Sequence, residues 1–287
     1  MKFNRKGTTE TLRERDFTNR DGSMLPSLYF PSLEKDGIAM NLISTRLGGV
    51  SEGQFATLNL TKSRGDCREN VLENFSRIAA AFGTDLQHCI SSNQTHETTV
   101  LRVGAKDAGM GLTRPMEWDS ADGLVTNEPG LVLSTFYADC VPLLFVDPVN
   151  RAVGASHSGW RGTAGRIGKV TVETMQREFG TDPAHLLVGI GPSICADHYE
   201  VSEEVADVFR KEFPGHEAEL LTYRGNPGHV QLNLWEACRI ALTEAGVPKK
   251  NISVTDICTA CNPDLLFSHR ASQGKRGNIG AFVMLRS

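Results

Sequence analysis

The stretch LVLSTFYADCVPLLFVDPVNRAVGASHSGW, residues 131–160, decides the fold class. It contains three short apolar runs whose length and content of Val, Thr and Phe are typical of β-strands. The runs lie at 131–136, 143–146 and 152–156. A helix is predicted to follow, from about residue 164 to Gly180, because glycine commonly ends a helix. Several strands thus precede one helix, which favours mixed sheets over a regular alternation of strand and helix.

The rest of the chain repeats this grouping of strands and helices. Segment 38–44 is a predicted strand that runs into a glycine-rich turn. A helix is predicted to begin at Asp66, with Glu69 as its capping-box partner, and to end at Phe82. Other predicted strands are 98–103, 123–126, 186–190, 252–257 and 279–285, and other predicted helices are 203–213 and 234–245. We therefore expect mixed sheets with helices outside them, and a long surface loop at 211–228.

Composition excludes several classes of function. The 287 residues include 30 basic and 34 acidic side chains, a formal net charge of −4, and 40% are hydrophobic, as in an ordinary globular protein. A near-neutral charge without a basic run argues against nucleic acid as a partner. We also expect no membrane partner and a cytoplasmic location, because no segment approaches the roughly 18 apolar residues of a spanning helix and no secretory signal is visible. Residues 1–24 are expected to form a flexible, frayed extension.

Seven cysteines are spread through the chain. An odd number fits a reducing compartment in which thiols stay free or bind metal. Cys258 and Cys261 form a Cys-x-x-Cys pair, but the sequence offers no second pair of this kind. A lone pair is weak evidence for metal or redox chemistry, and buried free thiols are the alternative interpretation.

Three segments carry reactive side chains at the ends of predicted strands. His96 stands directly before a strand, Asp139 and Cys140 lie between two strands, and His157 leaves a strand and enters a glycine-rich turn. Loops at strand ends are held by a rigid scaffold and can converge. Two imidazoles and one thiolate make a three-ligand zinc set with a fourth position open. Alternatively, Cys140 and His157 form a nucleophile and its base. The residues alone leave both interpretations open, and Asp139 is a candidate for orienting a ligand or moving a proton.

Eight short stretches together carry a family resemblance. They are STRLGGVS (44–51), LNL (58–60), QTH (94–96), ADGLVTN (121–127), ADCVP (138–142), HSGWRG (157–162), GPSI (191–194) and FSHR (267–270). In this order they are similar to the bacterial laccase-domain or polyphenol-oxidase-like family, also described as YfiH/YlmD-type purine nucleoside phosphorylases. The resemblance spans about residues 44–285. One departure is His269, where the family more often carries tyrosine.

The resemblance implies a fold, a metal and a set of activities. The fold is α+β, a single catalytic domain over residues 25–287 in which two packed mixed sheets are flanked by helices, as in a deamidating bacterial toxin that uses a Cys/His pair. The metal is zinc, held by His96, Cys140 and His157. The activities are phosphorolysis of adenosine, inosine, guanosine and methylthioadenosine, deamination of adenosine, and oxidation of phenols with copper. A further activity attributed to a close branch is amide hydrolysis that edits misincorporated amino acids in peptidoglycan precursors.

Phosphorolysis needs an anion site beside the sugar. Arginine offers a bidentate fork and glycine lets backbone amides approach closely, so glycine-flanked arginines are the natural phosphate-binding candidates. The candidates are Arg46, Gly48, Gly49 and Arg161, with Arg270 and Arg276 as weaker ones.

Laccase chemistry proper is improbable because multicopper sites need His-x-His pairs, and the eight histidines include none. Copper outranks zinc for nitrogen and sulfur ligands, so copper in the zinc site would explain phenol oxidation as a side reaction. The leading hypothesis is therefore a zinc-dependent purine nucleoside phosphorylase with adenosine deaminase activity, acting as a monomer or homodimer on small molecules. The alternative is the peptidoglycan-precursor amidase, working through Cys140 and His157.

Overall fold

The computed structural model describes residues 1–7, 10–224 and 226–287. Fifteen strands and six helices lie within these ranges. The strands are β1 (Arg13–Thr18), β2 (Met24–Tyr29), β3 (Ala39–Ser44), β4 (Cys89–Ser91), β5 (Val100–Arg102), β6 (Gly123–Thr126), β7 (Val132–Tyr137), β8 (Val141–Asp147), β9 (Ala152–Ser158), β10 (Leu187–Ile190), β11 (Glu200–Ser202), β12 (Leu221–Thr222), β13 (His229–Leu232), β14 (Ile252–Val254) and β15 (Ile279–Leu285). The helices are α1 (Arg68–Ala81), α2 (Trp160–Ala164), α3 (Ile167–Phe179), α4 (Glu203–Glu212), α5 (Glu217–Leu220) and α6 (Leu234–Glu244).

Two mixed six-stranded sheets and one small sheet hold these strands. The first sheet has the order β1-β2-β3-β15-β7-β4, and the second has the order β14-β10-β8-β9-β6-β5. The small sheet has the order β11-β13-β12. Parallel pairs occur at β4–β7, β10–β14 and β5–β6, while the other pairs are antiparallel. The mixed character predicted from grouped strands is confirmed.

The two large sheets pack face to face, with helices on their outer faces. Along β8, Leu144 and Val146 point into the cluster shared with β7 and β15, whereas Leu143 and Phe145 point into the cluster shared with α3 and α6. Alternate residues of a strand point to opposite faces, so a strand covered on both sides must be apolar throughout. Helix α1 covers the outer face of the first sheet, where Phe75 packs in a third cluster. The α+β fold with two packed mixed sheets is as predicted.

Segments 1–7 and 10–24 are more structured than expected, and for these residues the expectation of a frayed extension is corrected. Segment 13–18 forms β1, which pairs in antiparallel register with β2, and Leu12 before it is fully buried. Arg5 forms an ion pair with Asp256 at 2.8 Å. Of the charged side chains that suggested a solvated tail, Glu14 and Asp16 lie on the exposed face of this edge strand, where alternation allows them.

Three further details differ from prediction. Helix α1 begins at Arg68 without a side-chain cap, because the Asp66 carboxylate instead accepts hydrogen bonds from Ser51 and Asn59. The helix expected from about residue 164 to Gly180 is α3, which begins at Ile167. The short helix α2 was not predicted and precedes it, with Arg166 between the two in a left-handed conformation at φ 59°. The long loop expected at 211–228 contains α5 and β12.

Within the described ranges, no helix combines the length and apolar character needed to cross a bilayer.

Candidate metal centre and its cavity

The three residues predicted as zinc ligands meet at one end of the two-sheet core. His96 lies where the chain passes from β4 of the first sheet to β5 of the second, and Cys140 lies where it passes from β7 to β8. His157 is part of β9 and is paired with Pro142 of β8. The donor atoms of these three side chains all lie within 4.8 Å of one another. Two crossings between the sheets and one strand thus bring together residues that are up to 61 positions apart (157 − 96).

Asp122, which sequence reasoning did not assign to the site, organises two of the three donors. Its fully buried carboxylate accepts backbone N–H bonds from Thr95, His96 and Glu97 at 2.9 to 3.1 Å. It also pairs with Nδ1 of His157 at 2.9 Å. Because Nδ1 is engaged, Nε2 of His157 is the ring nitrogen left for a metal, an arrangement that is common around ligating histidines. The only sequence signal was the position of Asp122 within the motif 121–127.

The charges at the centre are strongly coupled. Burial lowers the pKa of His157, but the adjacent Cys140 sulfur and the Asp122 carboxylate outweigh that effect and raise the pKa to about 9. Burial raises the pKa of Asp122, yet His157 and the backbone amide of Glu97 reverse this and hold it below its usual value. Desolvation and the neighbouring His157 lower the pKa of His96. The centre therefore favours a negative Asp122 facing a positive charge, which a bound cation would also provide.

Backbone conformation around the donors is unusual. His96 adopts φ 65° and Asp139 adopts φ 85°, both in the left-handed region that non-glycine residues rarely occupy. The hydrogen bonds to Asp122 hold the first of these conformations. Gly159 packs so closely that an added Cβ would lie 2.7 Å from Nδ1 of His96 and 3.3 Å from Sγ of Cys140. Glycine is therefore required at 159 by the close approach of the two donors.

Asp139 faces away from the three donors. Its Oδ1 accepts a hydrogen bond from Oγ1 of Thr259 at 2.6 Å, and its Oδ2 accepts one from the backbone N–H of Arg270 at 2.7 Å. Both carboxylate oxygens are thus engaged by a distant segment of the chain. This contact ties the turn that carries Cys140 to residues 259–270, which suits a residue that positions Cys140.

A cavity of about 830 Å³ opens beside the three donors. His96, Cys140 and His157 lie in its wall together with five cationic side chains. These are Lys62, Arg64, Arg68, Arg114 and Arg276. The guanidinium of Arg276 has a buried Nε without a hydrogen-bond partner among the described residues. Burial and the nearby Arg64 lower the pKa of Arg276 to about 10, so the side chain stays charged at neutral pH. Its Nη1 donates to the Gly277 carbonyl and to the side chain of Asn278, which leaves Nη2 as the nitrogen that can donate to an anion in the cavity.

The arginines singled out from glycine-flanked turns have other contacts. Arg46 donates to the carbonyls of Ala56 and Pro263 at 2.9 and 2.8 Å and lies over the ring of Phe267. Arg270 donates to the carbonyls of His198 and Glu200. Exposed Arg161 stacks on Trp160.

Neither Gly48 nor Gly49 lies in the cavity wall. A Cβ on Gly49 would meet the Thr57 carbonyl at 2.3 Å, and one on Gly48 would meet the Met24 carbonyl at 2.5 Å, so close backbone packing explains both glycines. The predicted phosphate role of these residues and of the three arginines stays a prediction. The cationic side chains that do line the cavity are Lys62, Arg64, Arg68, Arg114 and Arg276.

The donor set fits zinc. Two imidazole nitrogens and one thiolate sulfur are ligands that zinc prefers, and a three-ligand set leaves one position open, as in catalytic zinc sites. The Asp122 hydrogen bond to His157 supplies the outer support that such ligands usually have. Copper accepts the same donors, so the donor set by itself does not select between the two metals.

A known protein family matches nearly the whole chain. The family described as multi-copper polyphenol oxidoreductase laccase matches residues 40–286. The chain belongs to this laccase-like family. The resemblance inferred from the eight motif stretches is thereby confirmed, although the three-donor centre is not the multicopper site that the family description suggests.

Members of the laccase-like family with similar sequences bear enzyme names. The Bacillus subtilis protein named purine nucleoside phosphorylase YlmD is 37% identical over 247 residues, which is 85% of this chain and 87% of that protein. A protein named adenosine deaminase RL5, from an unknown prokaryotic organism, is 32% identical over 83% of this chain and 93% of its own length. The crystal structure of YlmD from Geobacillus stearothermophilus superposes with a TM-score of 0.84 at 36% identity and covers 91% of this chain and 96% of that one.

Proposed function

We propose that this protein is a zinc-dependent purine nucleoside phosphorylase that also deaminates adenosine. The observation that carries the proposal is the convergence of three zinc donors on a cavity lined by cationic side chains. A cationic wall can bind phosphate, and a metal with an open position can activate a water for deamination or polarise a bound nucleoside. The names of the relatives support the same reaction classes. Adenosine, inosine, guanosine and methylthioadenosine are the proposed nucleosides.

We propose that His96, Cys140 and His157 hold the zinc. When bound, zinc acts as a Lewis acid and lowers the pKa of a coordinated water. Asp122 keeps His157 in the tautomer that presents Nε2, and its three backbone hydrogen bonds hold His96 in place. Phenol oxidation would then be a property of copper in this site, consistent with the higher affinity of copper for these ligands.

We propose that the phosphate binds at the cationic wall, with Arg276 as its main contact. Arg276 lines the cavity with a charged guanidinium whose Nη1 alone is engaged by protein acceptors among the described residues, and Arg64 and Lys62 add positive charge at the same wall. In phosphorolysis a phosphate oxygen forms a bond to the anomeric carbon while the bond from that carbon to the purine nitrogen breaks. The electron pair leaves with the purine, which gains the proton that the phosphate loses. The products are ribose 1-phosphate and the free base.

The test is a direct product assay on full-length protein whose metal content has been measured. Adenosine or inosine is incubated with phosphate, and free base, ribose 1-phosphate and deaminated nucleoside are quantified. We expect all products with wild type and with Cys67→Ser, the matched control, because Cys67 is an exposed cysteine that belongs to neither group of metal donors. Cys140→Ala should lose them. Equal turnover by wild type and Cys140→Ala would refute the proposal.

The amidase is a second candidate, supported by a specific arrangement. Cys140 lies against His157, whose other ring nitrogen is held by Asp122, and this is the nucleophile, base and orienting group of a cysteine hydrolase. Muropeptide precursors would be hydrolysed by chelator-treated, metal-free protein in this case. Hydrolysis of those precursors without metal, and no turnover of nucleosides with metal, would favour the amidase over the phosphorylase.

A further inference from the structure

A second cluster of metal-binding side chains lies away from the three-donor centre. Cys195 and His198 follow β10, and Cys258 and Cys261 follow β14. The four donor atoms all lie within 4.8 Å of one another. Sγ of Cys195 is 3.3 Å, and Sγ of Cys261 is 3.5 Å, from Nδ1 of His198. The lone Cys-x-x-Cys of the sequence therefore has a partner pair after all, in the form of Cys-x-x-His.

The topology of the second sheet explains why these four residues meet. Strands β10 and β14 are parallel neighbours, so their carboxyl ends lie at the same edge and the segments that leave them run side by side. A parallel bridge between Ser193 and Cys258 continues the pairing beyond the strands. A turn at 196–198 then brings His198 back toward Cys195. The two pairs are 63 positions apart (258 − 195) in the chain, which hides the cluster from motif inspection.

Three thiolates and one imidazole complete the tetrahedral coordination that zinc adopts in structural sites. This differs from the three-donor centre, where one position stays open. The backbone N–H of Cys195 donates to Sγ of Cys258 at 3.2 Å, a hydrogen bond that stabilises a thiolate ligand. Lys6, paired with Asp197 at 3.2 Å, adds a positive charge beside the cluster and offsets part of the negative charge of three thiolates.

We propose that Cys195, His198, Cys258 and Cys261 bind a second zinc ion with a structural role. This ion would cross-link the segments that leave β10 and β14. It would also support the three-donor centre, because Thr259, between the two cysteines of the pair, donates to Oδ1 of Asp139 at 2.6 Å. Asp139 directly precedes Cys140. The proposed cross-link is therefore connected through Thr259 and Asp139 to a proposed ligand of the first zinc.

The experiment counts metal ions in purified, reduced, full-length protein and its variants. Zinc per chain is measured by mass spectrometry after gel filtration without chelator. We expect two zinc ions in wild type and in the Cys67→Ser control. We expect one in Cys140→Ala, which keeps the four-donor cluster, and one in the double variant Cys258→Ser/Cys261→Ser, which keeps the three-donor centre.

Cobalt gives a second measurement that is independent of whether the double variant folds. Wild type and Cys140→Ala loaded with Co²⁺ should both show the intense sulfur-to-cobalt absorption of a tetrahedral site with three thiolates, which the three-donor centre, with one thiolate, cannot produce. One zinc in wild type that is lost entirely in Cys140→Ala, together with no such absorption in that variant, would overturn the proposal. So would a Cys258–Cys261 disulfide in freshly reduced protein. One zinc that survives Cys140→Ala but is lost in the double variant would support the second site and count instead against the proposed function.

Discussion

The three-donor centre and the four-donor cluster combine the same side-chain types, cysteine and histidine, in different numbers and surroundings. His96, Cys140 and His157 line an open cavity and would leave one position open on a tetrahedral metal ion. The four-donor cluster of cysteines and His198 is complete in itself and lies between two adjacent segments of one sheet. Ligand number and access to a cavity, more than ligand type, thus separate a site that can act on a substrate from one that holds the chain together.

The largest effect on activity is expected at the three-donor centre. Cys140→Ala removes one of the three proposed ligands. Loss of a hydrogen-bond partner of a ligand already lowers metal affinity by about 10- to 100-fold, so loss of the ligand itself should lower activity by at least about 100-fold. The melting temperature should change little, since the four-donor cluster is intact. Steady-state turnover and calorimetry check this prediction. A large drop in melting temperature with activity retained would reverse the roles that we assign to the two sites.

A loss of stability is expected instead at the four-donor cluster. Cys258→Ser removes a fully buried ligand, and loss of a structural metal is among the few causes of large destabilisation. A loss of about 3 kcal/mol in the free energy of unfolding corresponds to a fall of about 6–12 °C in melting temperature for a chain near this size. Thermal unfolding of the variant and of Cys67→Ser measures the difference. Identical melting temperatures would show that the cluster carries no structural metal.

Substitution of Asp122 tests whether zinc binding at the three-donor centre depends on this carboxylate. Asp122→Asn keeps the size of the side chain but loses the charge that faces His157, so zinc affinity at the three-donor centre should fall by about 10- to 100-fold. Exposed Asp119→Asn is the matched control. Competition with a chromophoric chelator measures both affinities, and an unchanged affinity in Asp122→Asn would remove Asp122 from the site.

Arg276 tests the location of the phosphate. Arg276→Gln removes a charged donor of the cavity wall, and the loss of one charge-assisted hydrogen bond, about 1.5 kcal/mol, should raise the KM for phosphate about tenfold. The KM for the nucleoside should change less. Arg46→Gln is the informative companion, because its guanidinium is occupied by two carbonyls. A rise confined to Arg46→Gln would restore the phosphate site predicted from the sequence.

The last prediction concerns the pH dependence of zinc binding. Without metal, His157 has a pKa of about 9 because Cys140 and Asp122 favour its charged form. Zinc needs the neutral imidazole, so protons compete with zinc below that pH, and the affinity of the three-donor centre should rise by at most about tenfold per pH unit for this group as the pH approaches 9. Zinc titrations between pH 6 and 9 in Cys258→Ser/Cys261→Ser isolate this centre. A flat profile would contradict the coupling between His157 and its neighbours.

The prediction from sequence was most accurate where structure is local. Strands β6 and β15 have the predicted bounds, because a short, continuous run of apolar and β-branched residues is typical of a strand that is buried on both faces. Strand β1 was missed since an edge strand with charged residues on its exposed face resembles a solvated tail. The Asp66 cap failed for another reason, because tertiary hydrogen bonds from Ser51 and Asn59 compete for the same carboxylate.

The sequence by itself determined the apolar periodicity that builds two packed sheets, and the reactive residue types placed at strand ends. Only the tertiary structure decided which distant residues meet. The contact of Asp122 with His157 spans 35 positions, and that of Cys195 with Cys258 spans 63. The cationic wall likewise joins segment 62–68 to Arg276. Local patterns reflect the repeat of a helix or strand, whereas a site depends on the crossing of strands between sheets, which side-chain spacing along the chain does not encode.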